Sequence, residues 1–102
     1  MLTGKQRRYL RGLGHHLDPV VQVGKDGVSA SLVKAANKAL EDHELIKVKV
    51  LEAAPDDRHA SAEALAEACK AELAGVLGRT ALLYKKRKKD PQIKLPKDAP
   101  ST

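Results

Sequence analysis

Two glycines three residues apart, in Gly24-Lys25-Asp26-Gly27, are the most chemically suggestive feature of the chain. Glycine lets a backbone bend sharply and lets a ligand approach without meeting a Cβ atom. The loop follows a short apolar run, Val20-Val21-Gln22-Val23, and precedes a helix that Ser29 can cap. Unpaired N–H groups and the positive end of a helix dipole would then face an anion, and a phosphate is the natural guest. Lys25 can add a charge-assisted contact, whereas Asp26 would repel a phosphate and is assigned to the turn or to solvent. The same four residues also suit an ordinary strand-to-helix turn. The longer nucleotide motifs are missing, both G-x-x-x-x-G-K-[ST] and a third glycine with a later acidic partner.

Positive charge is the second feature. Lys5, Arg7, Arg8 and Arg11 are the four basic residues of positions 1–14, which hold no acid. Positions 85–102 hold seven basic residues against two acidic ones, five of them in the run Lys85-Lys86-Arg87-Lys88-Lys89. Between them, positions 15–84 carry eight basic and eleven acidic residues, so the excess that makes the chain +6 belongs to its two ends. Such a field attracts polyanions, nucleic acid ahead of anionic membrane. A basic helix face and a basic tail can also be merely solvated. Base-stacking readers need exposed rings, and only Tyr9 and Tyr84 are aromatic, with Tyr9 on an apolar arc that suits a core. Contact with a nucleic acid would therefore be made mostly to phosphate and sugar, with modest sequence specificity.

Catalytic and metal-binding constellations are poor. His15 and His16 are adjacent, His43 ends a helix and His59 lies in an acidic turn, so no H-E-x-x-H spacing exists. Cys69 is the one cysteine; it sits on an apolar helix stripe, as a buried and inert thiol would, and excludes an internal disulfide. No enzyme activity, cofactor, metal or small-molecule substrate is expected. No apolar run approaches the ~18 residues of a membrane span, and positions 1–14 lack the apolar stretch of a signal peptide. The expectation is a soluble cytoplasmic protein with no membrane partner.

The elements that must position these residues can be read from periodicity. The chain's 102 residues allow one domain, and its apolar content of 42%, almost free of aromatics, implies a core of Leu, Val, Ile and Ala. Thr3 with Gln6 forms a capping-box pattern for a helix over 4–14. On it Leu2, Tyr9, Leu10, Leu13 and Leu17 share an arc of about 100°, and the four cations occupy a separate arc of about 160°. Val20–Val23 is predicted as a strand, and Ser29 to about His43 as a helix packing through Leu32, Val33, Ala36, Ala39 and Leu40. In 45–52, Ile46, Val48 and Val50 alternate with Leu45, Lys47, Lys49 and Leu51, which predicts a strand buried on the first side only. A turn over 53–59 leads to a helix over 60–73, and 75–78 with 80–85 form a final strand or strand pair. Positions 86–102 read as a basic, proline-punctuated, flexible tail following a domain over 1–85. This order suits one sheet covered mainly on one face by helices.

Three ordered blocks then carry a family resemblance: residues 19–27 (PVVQVGKDG), 43–50 (HELIKVKV) and 78–84 (GRTALLY), with a closing 93–97 (IKLPK). The chain resembles the CRM domain, named for chloroplast RNA splicing and ribosome maturation, in its stand-alone bacterial, YhbY-like form. The resemblance implies an α-β-α-β-α-β-β domain with a mixed four-stranded sheet, similar to the C-terminal domain of bacterial initiation factor three. It also implies a GxxG loop, here Gly24 to Gly27, that binds RNA backbone in a manner likened to KH domains. A KH loop joins two helices, whereas this one joins a strand to a helix. Precursors of the large ribosomal subunit become the expected RNA. The expected RNA-binding residues are Gly24, Lys25, Asp26 and Gly27, with Lys5, Arg7, Arg8, Arg11, Lys85, Lys86 and Arg87. A protein-interaction adaptor recognising an acidic assembly factor is the alternative.

Overall fold

Helix α1 spans Gly4–Gly14 in the computed structural model, which describes residues 2–96. Both halves of the predicted capping box form: Gln6 N–H donates to Thr3 Oγ1 at 3.2 Å, and Thr3 N–H to Gln6 Oε1 at 3.1 Å. Strand β1 (Pro19–Val23) leads through the glycine loop to α2 (Ala30–His43), where Ser29 Oγ accepts from Leu32 N–H at 3.2 Å. β2 (Leu45–Val50) follows. α3 (Arg58–Cys69) starts two residues ahead of expectation because Asp57 Oδ1 accepts from Ala60 N–H at 2.8 Å and caps it there. It also stops early. Lys70 adopts a left-handed conformation (φ 56°) whose N–H returns to the last turn, so Leu73 lies in β3 (Glu72–Leu77) and not in the helix. A two-residue turn at Gly78 and Arg79 closes a hairpin with β4 (Thr80–Tyr84).

The strands form one mixed sheet in the order β1-β2-β4-β3, with β1 parallel to β2 and the other pairs antiparallel. A parallel neighbour requires a crossover, which α2 supplies as it runs back from the end of β1 to the start of β2. Helices α2 and α3 cover one face. Their Ala36, Leu40, Leu65, Ala66 and Cys69 bury Val21, Val23, Ile46, Val48, Val50 and Leu83. Leu40, Leu65, Ile46 and Leu83 are among the largest fully enclosed side chains, each contributing about 1.5–3 kcal/mol by burial.

The other face has a smaller core of Leu2, Leu10, Leu45, Ala74, Leu82 and Tyr84, closed by α1 and by Ile93 and Leu95 from the chain beyond β4. Leu45, predicted to face outward, is therefore buried, since strand alternation shows that a second face exists but not what covers it. Only part of the α1 arc is used. Tyr9 and Leu13 remain 42% and 41% exposed, so Tyr9 is not a core residue.

Residues 86–96 likewise depart from the reading as a flexible tail. Gln6 Nε2 donates to Pro96 O at 3.2 Å, and Glu44 holds the segment farther upstream. The remainder of the predicted tail, 97–102, lies outside the described residues.

Candidate nucleic-acid interface

The two loop glycines do different work. Gly27 N–H donates to Gly24 O at 2.9 Å and closes the turn, with Gly27 at φ +65°. Gly27 is buried, and a Cβ there would stand 3.1 Å from Pro55 Cγ. The fold itself requires this glycine. Gly24 has no positive φ, and a Cβ there would meet only Leu51 Cδ1 at 3.9 Å. Folding leaves that position open to a side chain. Lys25 and Asp26 are exposed at the tip. Fewer N–H groups face outward than the motif suggests, because Gly27, Ser29 and Leu32 have already spent theirs on the turn and the cap.

We expect Gly27→Ala to lower stability by about 1–2 kcal/mol, the cost of a left-handed alanine, with the crowding against Pro55 added. Gly24→Ala should leave the unfolding midpoint in urea unchanged. Equal losses at the two positions would contradict this division.

The sheet register brings to the loop one cation that the sequence reading did not include. Gln22 pairs with Lys49 and Val23 with Val50, so Lys49 lies on β2 beside the end of β1 that feeds the loop, whereas Lys47 pairs with Pro19 at the far end of β1. Lys49 is exposed and Lys47 half-buried. The available signal was the basic outer side of the 45–52 alternation, but which strand lay beside it depended on pairing. Arg79 is also at this end, its carbonyl accepting from Val50 N–H at 2.7 Å, but its guanidinium pairs with Glu52 at 3.1 Å.

The other predicted cations lie elsewhere. Lys5, Arg7, Arg8 and Arg11 are exposed on α1, and Arg11 reaches over β3, donating to Ala74 O at 3.4 Å. Lys85, Lys86 and Arg87 are at the opposite end of the sheet from the loop, because they follow β4 where it lies beside the start of β2. Lys85 is directed inward, and its Nζ donates to Cys69 O at 2.9 Å, satisfying the C-terminal end of α3. Loop and basic run therefore do not form one continuous patch.

Beside the basic run, Glu44 is the residue that sequence reasoning missed. It is fully buried at the end of α2 with φ 62°, a conformation that ordinarily favours glycine. Its carboxylate accepts backbone N–H groups from Arg87 at 3.0 Å, Gln92 at 2.5 Å and Ile93 at 2.8 Å. Burial pushes its pKa up, but those three donors together with the Arg87 charge outweigh burial and hold it below its ordinary value. The carboxylate thus binds the segment after β4 to the body.

Cys69 is buried as expected, and burial raises its thiol pKa against a smaller opposing pull from Lys85. Among the described residues no three His, Cys, Asp or Glu side chains converge as a metal site would require, and no helix is long and apolar enough to cross a membrane.

Comparison with known proteins agrees with this architecture. The CRS1 / YhbY (CRM) domain model matches residues 2–85. A Bacillus subtilis protein named "Probable RNA-binding protein YqeI" is 48% identical over 96 residues, covering 94% of this chain and all of that protein. "Probable RNA-binding protein MJ0652" of Methanocaldococcus jannaschii is 43% identical, covering 95% of this chain and 78% of its own. The solution structure of the hypothetical protein SAV1595 from Staphylococcus aureus superposes with a TM-score of 0.81 at 46% identity, covering 94% of this chain and all of that one.

Proposed function

The chain belongs to the CRS1 / YhbY (CRM) domain family, and from that premise we propose that it binds RNA along the sugar-phosphate backbone at the Gly24–Gly27 turn. Lys25 and Lys49 supply the local charge, and Lys5, Arg7, Arg8 and Arg11 on α1 add long-range attraction. The observation that carries the reading is Gly24: the fold does not need a glycine there, whereas a backbone approaching at van der Waals distance does. The names of the relatives support RNA as the ligand class. Asp26 faces solvent at the tip and leaves the phosphate side to Lys25.

We extend the reading to a cytoplasmic role in assembling the large ribosomal subunit, on the resemblance to stand-alone CRM proteins. Crosslinking in cells followed by RNA sequencing tests that step, with enrichment of large-subunit precursor RNA as the supporting result.

The loop itself is tested by substitution and fluorescence anisotropy on short single-stranded RNAs. Gly24→Val should weaken binding by about tenfold or more with the unfolding midpoint unchanged, a loss equivalent to about 1.4 kcal/mol. Lys25→Ala should cost about threefold to tenfold and do so alike for unrelated sequences, as loss of a phosphate contact does. Full affinity in a folded Gly24→Val protein would remove the loop from the site.

A further inference from the structure

At the far end of α2 lies a groove of about 620 Å³ between the C-terminal ends of α2 and α3 and the segment after β4. Its lining includes Lys70 and the whole run from Lys85 to Lys89, opposed by one carboxylate, Glu41. Two of these cations have structural duties: Lys85 caps α3, and Arg87 is fixed through its backbone to Glu44. The others do not. Lys70, Lys86, Lys88 and Lys89 are exposed, and among the described residues no carboxylate lies within ion-pair distance of them.

The groove is also separate from the glycine loop. The loop precedes α2, whereas the groove begins at Asn37 and its cations gather beyond the C-terminal end of the helix, so the 14 residues of the helix place loop and cations about 21 Å apart. That is more than two Debye lengths at physiological salt, so filling one site leaves the potential at the other largely unchanged. A volume near 620 Å³ is in the range of ligand sites and accommodates a nucleotide with its phosphates.

We propose that this groove holds a second RNA segment, so that one molecule tethers two stretches of RNA, one at each end of α2. The inference rests on the RNA reading of the loop. It assigns the basic run to a ligand other than the strand held at Gly24, and makes the protein a bridging device rather than a single-site binder.

Two non-complementary short single-stranded RNAs, one carrying a donor dye and one an acceptor, test it in the full-length protein. Wild type should bring the dyes together, and excess unlabelled RNA should abolish the transfer. Lys86→Gln, Lys88→Gln and Lys89→Gln combined should weaken bridging by about tenfold or more while affinity for one RNA at the loop changes less than about threefold. Bridging that survives this triple substitution overturns the proposal, as it would if the two loops of a dimer did the joining. Loss of all RNA binding in the triple variant overturns it too, since the groove would then be the primary site. Displacement from the groove by polyglutamate but not by RNA, read from a dye on the segment after β4, assigns the groove to an acidic protein and also overturns it. Binding of single RNAs by wild type without bridging sinks this inference alone; absence of any RNA binding sinks the loop reading with it.

Discussion

RNA affinity should fall by about a hundredfold or more as monovalent salt rises from about 50 to about 200 mM, on the estimate that five phosphates are neutralised at about 0.7–0.9 logarithmic units each. The expectation follows from what the surface offers. Lys25 and Lys49 are exposed beside the loop, four cations line one side of α1, and of the two tyrosines Tyr9 is 42% exposed and Tyr84 is buried, leaving four histidines as the other rings. With so little to stack on, release of counterions has to supply most of the binding free energy. Lys25→Ala should lower the slope of log affinity against log salt by close to one. Titrations of one RNA at several salt concentrations measure both quantities. A flat dependence would mean that contacts other than phosphate dominate, and the backbone mechanism would be wrong.

Glu44→Ala should lower stability by about 2–4 kcal/mol and the melting temperature by on the order of 10–20 °C. The substitution strands three backbone N–H groups, those of Arg87, Gln92 and Ile93, and loosens the packing of Ile93 and Leu95 over the second core. The loss stops short of the full cost of three buried donors because the freed segment can turn to water. Glu44→Gln should recover part of the loss, since its amide oxygen can keep the bonds from Gln92 and Ile93 while its N–H group opposes only that of Arg87. Hydrogen exchange separates this from general loosening: the amides of Arg87, Gln92 and Ile93 should lose protection before those of β2 and β4. Retained protection at all three, with an unchanged melting temperature, would disprove the tether.

Acid acts on the same group. The Glu44 pKa is held below its unfolded value, so its contribution is fully present above the ordinary carboxylate range and is lost as pH falls through the folded pKa. Stability of wild type should therefore decline toward low pH with a component that Glu44→Gln lacks. Identical acid profiles in the two proteins would contradict the depressed pKa.

Local signals in the chain were enough to define most elements. The capping box at Thr3 and Gln6, the Ser29 cap and the alternation of Ile46, Val48 and Val50 each act within a few residues, where propensity and periodicity are strong. The glycine loop was legible for the same reason: its chemistry lies in four consecutive residues. The ends of α3 were less so, because Asp57 competes with neighbouring acids as a cap and Lys70 stops the helix in a conformation that lysine seldom adopts.

By itself, then, the amino-acid order determined an α/β domain, its helix stripes, a glycine turn between a strand and a helix and a surplus of positive charge at both ends of the chain. Tertiary structure alone decided which charges stand together. Parallel pairing set Lys49 beside the loop, antiparallel pairing of β4 with β2 carried Lys85 to Lys89 to the opposite end, and Glu44 turned inward to fasten the segment after β4. The physical reason is range: caps and periodicity are contacts between near neighbours, whereas a cationic surface and a buried carboxylate's partners depend on segments far apart in the chain, as Gln22 and Lys49 are at a separation of 27 and Glu44 and Ile93 at 49.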